Sequence, residues 1–260
     1  MDLPNLSMGE FQLVYNMLSL AIAAMLGSFV FFVIARNQLT PKYRPALIMS
    51  SLVVGIAGYH YWRIFNSWDA AYILKDGAYV ASGAHFNDAY RYVDWLLTVP
   101  LLLAELVAVL ALKREVRGPM MTKLIIASVL MIAIGYPGEV ESDPTTRGIW
   151  GFVSTIPFCY ILYILFSELT KAMEGANDRV KKLLSDTRLV LLGTWGFYPI
   201  AYLMPQLGID KGSAVVALQV GYSIADILAK CGYGFMIYHI AQAKMEEEGV
   251  SIESAAQVAA

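Results

Sequence analysis

The chain has 260 residues, 58% of them apolar and 15% charged, with a net charge of −2. A soluble domain carries about a quarter charged residues, so lipid is read as the main solvent, and a mean hydropathy of +0.55 agrees. Disordered chains, disulfide scaffolds and basic nucleic-acid binders are excluded, so no nucleic-acid partner is expected.

Seven apolar stretches follow in chain order. Residues 11–35 contain no charge, and 45–62 are interrupted only by His60. The third, 89–112, contains Arg91, Asp94 and Glu105. Stretches 124–138, 148–167 and 189–209 come next, and 212–243 holds Asp226, Lys230 and His239. A crossing helix needs about 20 residues, so the fourth must extend into its flanks or thin the local bilayer. The runs are continuous rather than alternating, which excludes a β-barrel. The predicted fold is an all-α membrane protein of seven transmembrane helices. Residues 1–245 form the transmembrane domain and 246–260 a tail, with no internal repeat. The longest connection, 66–87, contains Tyr79 and Val80 between Gly77 and Gly83, a pattern that predicts a small hairpin.

Loops 36–44, 113–123 and 171–188 together with Lys244 hold thirteen of the 19 Lys and Arg residues, against Lys75, Arg147 and Lys211 on the other side. The positive-inside rule then places the C-terminus in the cytoplasm and the N-terminus outside, in a multi-pass protein of the cell (inner) membrane. No basic segment precedes the first stretch, so no cleavable signal peptide is expected. Cys159 and Cys231 read as buried free thiols, and Glu139, Glu141, Glu246, Glu247 and Glu248 as solvated charges.

Ionisable groups inside the spans are expensive and point to function. Arg91, Asp94 and Thr98 are spaced i, i+3, i+7 and share one helix face. Glu105 is eleven residues beyond Asp94, close to three turns and about 16 Å along the same face. Asp226 and Lys230 are spaced i, i+4. A buried lysine deprotonates, pairs with a carboxylate, or forms a Schiff base with an aldehyde. One reading is a structural ion cluster that fixes helix register. It leaves Glu105 unexplained, because an isolated carboxyl in lipid stays protonated. A neutral acid three turns from a paired carboxylate reads as a proton relay.

Asp226-Ile-Leu-Ala-Lys230, Arg91-Tyr-Val-Asp94-Trp-Leu-Leu-Thr98-Val-Pro100 and Trp195-Gly-Phe-Tyr198-Pro199 resemble microbial (type I) rhodopsins. Asp94, Thr98 and Glu105 look like the Asp-Thr-Glu signature of the proteorhodopsin and xanthorhodopsin branch of outward proton pumps. The resemblance implies that Lys230 carries all-trans retinal as a protonated Schiff base. Asp94 would be counterion and proton acceptor, Asp226 second counterion, and Glu105 proton donor. It implies a light-driven ion transporter rather than an enzyme, in a homo-oligomer for which a pentamer is favoured. By the same resemblance His60 pairs with Asp94, although a lone histidine in an apolar helix is also an ordinary packing residue. Trp95, Thr98, Leu102, Met131, Gly135, Ser154, Thr155, Phe158, Trp195, Tyr198, Pro199 and Tyr202 would line the pocket, with Leu102 implying green absorption. Gly151 stands where many retinal pumps carry a bulky aromatic. In xanthorhodopsins that glycine opens a window for a carotenoid, so a hydroxylated carotenoid antenna is the second cofactor expected; plain helix packing is the alternative.

One departure is visible. Haloarchaeal pumps carry two outer glutamates as a release group, whereas here the seventh-helix position is Leu218 and segment 205–212 offers only Asp210. The competing functions are a sensory rhodopsin signalling through a transducer, against which Glu105 argues, and an enzyme using Lys230 on a soluble aldehyde, which lacks a phosphate loop or polar cleft.

Overall fold

A computed structural model describes residues 3–141, 143–203 and 210–251. The end of the sixth expected stretch (204–209), most of segment 205–212 and tail residues 252–260 lie outside the described residues.

A capping box starts the first helix. Ser7 Oγ accepts from Glu10 N at 3.3 Å, and Glu10 Oε2 accepts from Ser7 N at 2.8 Å. Helix α1 (Met8–Ala35) then buries Phe11, Val14, Leu18, Ala21, Met25, Ser28, Phe32 and Ala35. That alternating three-and-four spacing draws one inward stripe along the helix. Leu13, Leu20, Leu26, Val30 and Ile34 on the other faces are exposed, as a lipid-facing surface requires.

Helix α2 (Arg44–Ala71) leads into strands β2 (Tyr72–Lys75) and β3 (Ala78–Ala81), antiparallel with Lys75 opposite Ala78. Asp76 and Gly77 form the two-residue turn with φ of 51° and 84°, the left-handed pair this hairpin geometry demands. Strand β1 (Leu6–Ser7) adds to β3, so the predicted hairpin is a three-stranded sheet in the order β1-β3-β2. Phe11 stacks on Tyr79 with ring centroids 3.8 Å apart, tying the sheet to the bundle.

Five more helices are described before the last crossing: α3 (Tyr90–Leu110), α4 (Arg114–Val140), α5 (Pro144–Met173), α6 (Asp178–Trp195) and α7 (Phe197–Leu203). The fourth crossing solves its length problem by extension. Residues 114–123, expected as loop, are helical, giving α4 27 residues. Likewise only 174–177 separate α5 from α6. The sixth crossing breaks at Gly196, where Pro199 has no N–H to give the carbonyl of Trp195. The seventh comprises α8 (Lys211–Asp226), a π-helical segment (Ile227–Gly232) and α9 (Tyr233–Glu247).

Five of these crossings are long and apolar enough to span a membrane on composition alone. The second is diluted by His60, Arg63, Asn66 and Asp69, and the sixth starts with charged turns and is split. Neighbouring helices pack in chain order, and α1 contacts α8, which closes the ring. One apolar cluster, centred on Leu18, Tyr61 and Trp68, fills the hairpin end; a larger one with Leu103, Leu106 and Leu165 fills the tail end.

Several expectations are corrected. Cys159 is exposed on the outer surface of α5, while Cys231 is buried as expected. Glu139 is not a solvated loop charge: it lies in the last turn of α4 and receives Arg147 Nη2 at 2.9 Å. The tail acids are also engaged. Glu248 accepts from Lys42 Nζ and Tyr43 Oη, both at 2.6 Å, Glu247 Oε1 from Asn177 N at 2.8 Å, and Glu246 pairs with Arg179. Partial burial opposes ionisation of Glu248, but the Lys42 and Tyr43 donors hold its carboxyl below the usual range.

Candidate functional site: a buried lysine between two aspartates

Lys230 sits in the π-helical turn of the seventh crossing, 2% exposed. Such local widenings of a helix recur at functional sites. Its Nζ donates to Asp94 Oδ2 at 2.7 Å and lies 3.1 Å from Asp226 Oδ1. Asp94 comes from α3 and Asp226 from the end of α8, so the i, i+4 pair meets the third helix as the spacing predicts. Two carboxylates around one ammonium leave the inner group with a net negative charge.

Asp226 is further held by Tyr61 Oη, which donates to Oδ2 at 2.7 Å, and by the Tyr198 hydroxyl on Oδ1. Arg91 Nη1 stands 3.9 Å from Asp226 Oδ2 and donates to Tyr61 Oη at 3.1 Å. Arg91 also faces the Tyr222 ring, with the guanidinium carbon 4.8 Å from the ring centre. Thr98 Oγ1 does not reach a carboxylate; it donates to the backbone carbonyl of Asp94 at 2.9 Å.

His60 approaches Asp94, with Nδ1 at 3.8 Å from Oδ1. That separation is too long for a hydrogen bond, and Nδ1 instead lies 3.0 Å from the carbonyl oxygen of Ile56. Among the described residues Asp94 Oδ1 has no hydrogen-bond partner. His60 is therefore a close neighbour of Asp94 rather than its hydrogen-bond partner. With retinal on Lys230, as the sequence resemblance implies, His60→Asn is expected to shift the pH midpoint of the visible-absorbance transition; an unmoved midpoint would remove His60 from the site.

Glu105 is fully buried on the same face of α3 toward the tail end. Its Oε2 contacts the Ser50 hydroxyl, and Oε1 has no partner among the described residues. Ser50 Oγ also lies 3.3 Å from the Ala46 carbonyl. A hydroxyl has one proton to give. If Glu105 is protonated at Oε2, it donates to Ser50 and Ser50 donates to Ala46, which leaves only the carbonyl oxygen Oε1 without a partner among the described residues.

A cavity of about 380 Å³ opens beside Lys230. It is lined by Trp95, Leu102, Met131, Gly135, Gly151, Ser154, Thr155, Phe158, Trp195, Tyr198, Pro199 and Tyr202, together with Tyr92, Val99, Phe152 and Tyr222, among others. Every pocket residue expected from the sequence is on this wall except Thr98. At Gly135, a side chain would press on Ser154 Oγ at 3.2 Å, and Ser154 itself donates to the Met131 carbonyl at 2.7 Å. A Cβ at Gly151 would lie 2.6 Å from Tyr202 Cε1, and one at Gly138 would strike the Tyr202 hydroxyl. Both glycines thus make room for the Tyr202 ring. Phe152 belongs to the cavity wall and is also 73% exposed, so the cavity reaches the lipid-facing surface beside Gly151.

Sequence reading missed Ser50, Tyr61, Tyr92, Gln219 and Tyr222. Gln219 lies seven residues before Asp226, two turns along the same face, and that spacing was the one signal available.

The fold and the site together define a seven-helix protein with a paired lysine at one end of an apolar cavity. Residues 12–244 match the model of the bacteriorhodopsin-like protein family, and the chain belongs to that family. It is 31% identical over 223 residues to a green-light absorbing proteorhodopsin from a gamma-proteobacterium, covering 85% of this chain and 84% of the relative. A crystal structure of xanthorhodopsin, described as a light-driven ion pump with dual chromophore, superposes with a TM-score of 0.91 at 57% identity, covering 96% of this chain and 100% of that one. A crystal structure of thermophilic rhodopsin gives 0.91 at 54% identity, over 95% and 99%.

Proposed function

We propose that this chain is a light-driven pump that exports protons across the cell membrane, using retinal on Lys230. It is a transporter, not an enzyme. The relatives' descriptions as proteorhodopsin and as a light-driven ion pump support the class. The residues fit the group: a buried amine, two carboxylates to balance it, and a cavity of about 380 Å³ walled by aromatic rings. Bound to Lys230 as a protonated Schiff base, retinal supplies light absorption and the isomerisation that drives proton loss.

The observation that carries the reading is the placement of two buried carboxyls on one helix, Asp94 on the Lys230 amine and Glu105 toward the tail end. Asp94 Oδ2 is positioned to take the proton from the Lys230 nitrogen. Glu105, fully buried with the Ser50 hydroxyl on Oε2, holds a proton and returns it to Lys230. Asp226 stays ionised under the Tyr61 and Tyr198 hydroxyls and Arg91. With the Lys- and Arg-rich tail end in the cytoplasm, protons move from Glu105 toward Asp94 and outward. Assembly into a ring of copies, a pentamer by the same resemblance, is part of this reading.

Expression with retinal tests the whole proposal. Illuminated cells should acidify the medium, and a protonophore should abolish the change. A coloured protein that produces no pH change and cycles over seconds would instead indicate a sensor.

The reading extends to an antenna. A hydroxylated carotenoid is proposed to lie across the opening at Gly151, against the Tyr202 ring. Gly151→Phe would force Tyr202 out of its place, since even a methyl group there meets the ring at 2.6 Å. Added carotenoid should contribute its bands to the excitation spectrum of the native pigment and not to that of Gly151→Phe. A native spectrum without those bands would remove the antenna and leave the pump.

A further inference from the structure

The pump reading leaves open how the proton leaves Asp94 for solvent, because the outer glutamate pair of the haloarchaeal pumps has no counterpart at Leu218. Arg91 is the pivot of the answer. Inward, it holds Tyr61 and Asp226. Outward, its Nε donates to Asp88 Oδ1 at 2.7 Å, and its Nη2 to Gln219 Oε1 at 2.6 Å. Gln219 Nε2 in turn donates to Asp88 Oδ2 at 3.2 Å. Polar contacts therefore run without a break from Lys230 through Asp226, Tyr61 and Arg91 to Asp88.

Exposure changes only at the last member. The side chains of Asp94, Asp226 and Arg91 are 3%, 1% and 2% exposed, and that of Asp88 is 25% exposed. The neighbouring acids at this end are committed elsewhere. Glu139 is bound by Arg147, Asp143 caps α5 through Thr146 N, and Asp210 caps α8 through Ser213 N. Arg91 and Gln219 bond Asp88 directly, and Glu139 and Tyr222 are the titratable groups that feel its charge from α4 and α8.

We propose that Asp88 is the carboxylate through which the pumped proton reaches solvent, coupled to the inner aspartates by Arg91. Charge counting gives the timing. Moving a proton from Lys230 to Asp94 leaves the summed charge of Lys230, Asp94 and Asp226 unchanged. Return of a proton from Glu105 to Lys230 raises that sum by one and weakens the inward pull on Arg91. Asp94 then gives up its proton, Asp88 passes it to solvent, and both end as carboxylates.

This inference rests on the pump reading, and one experiment separates their failures. The full-length retinal-loaded protein in nanodiscs is flashed with a pH-indicating dye in the medium. Visible absorbance follows the Lys230 nitrogen at the same time. In the native protein, proton appearance should follow the return of the proton to Lys230. Asp88→Asn should delay appearance by about a hundredfold with the pigment colour and the initial proton loss from Lys230 unchanged, and added formate should restore the native timing. Asp210→Asn should leave the timing unaltered. If Asp88→Asn yields no pigment, Asp88→Ser makes the same comparison. Native timing in the Asp88 variant, or a delay that formate does not relieve, overturns the role of Asp88. Absence of any dye signal from the native protein overturns the pump reading instead.

Discussion

Asp94→Asn is expected to form a coloured pigment that pumps no protons. The colour survives because Asp226 Oδ1 remains 3.1 Å from Lys230 Nζ and keeps its own donors in Tyr61 and Tyr198. Pumping should fail because, among the described residues, the acceptor that Lys230 Nζ donates to other than Asp226 is lost. Asp226 cannot replace it: two hydroxyls and the Arg91 charge stabilise its ionised form, which makes it a poor proton acceptor. An amide in place of Asp94 also removes one negative charge beside the cationic lysine, so the absorption band should move to the red. Proton loss from the Lys230 nitrogen, visible as a transient blue shift after a flash, should slow by at least about a hundredfold. The measurement is light-driven acidification of a cell suspension with and without a protonophore. Acidification at the native rate in Asp94→Asn would remove Asp94 as the acceptor. Asp94→Glu, which keeps the carboxylate, should retain part of the activity.

The parts of this site that were legible are those written into single helices. Arg91, Asp94 and Glu105 share a face because 3.6 residues make a turn, and the Asp226–Lys230 pair follows the same rule. Tyr79 and Val80 between Gly77 and Gly83 announced the hairpin for a local reason as well, and its turn falls at Asp76–Gly77. What stayed hidden depends on which helices become neighbours. Ser50, a neutral hydroxyl in α2, carries no sign of reaching Glu105, 55 positions away. Nothing in the sequence singles out Asp88 until α8 brings Gln219 beside it, 131 positions on. The tail acids were misread for the same reason, since the partner of Glu248, Lys42, is 206 positions distant. Helix ends were misplaced because charged residues such as Arg114 and Lys123 stop an apolar run without stopping the helix. Long side chains of this kind can lie along the bundle and place their charges at the membrane surface.

Glu105→Gln is expected to leave the first half of the cycle intact and to slow the second. Asp94 still lies 2.7 Å from Lys230 Nζ, so proton loss from the nitrogen should occur at the native rate. The return step loses its internal source. Among the described residues Ser50 is the hydrogen-bond partner of Glu105, and the tail acids Glu246 to Glu248 are tied to Arg179, Asn177, Lys42 and Tyr43. Protons must then come from bulk solvent, which makes the return proportional to proton concentration. The expected readouts are a return slowed by about a hundredfold at neutral pH, a rate that falls tenfold for each pH unit, and acceleration by azide, a small acid that can enter the dry region. Pumping under saturating light should fall in the same ratio, because this step then limits turnover. Ser50→Ala separates the carboxyl's own role from its setting. It leaves the proton on Glu105 but removes the hydroxyl contact, so it should change the return rate by far less and leave it nearly independent of pH. A return in Glu105→Gln that is as fast and as pH-independent as in the native protein would show that the proton comes from another group.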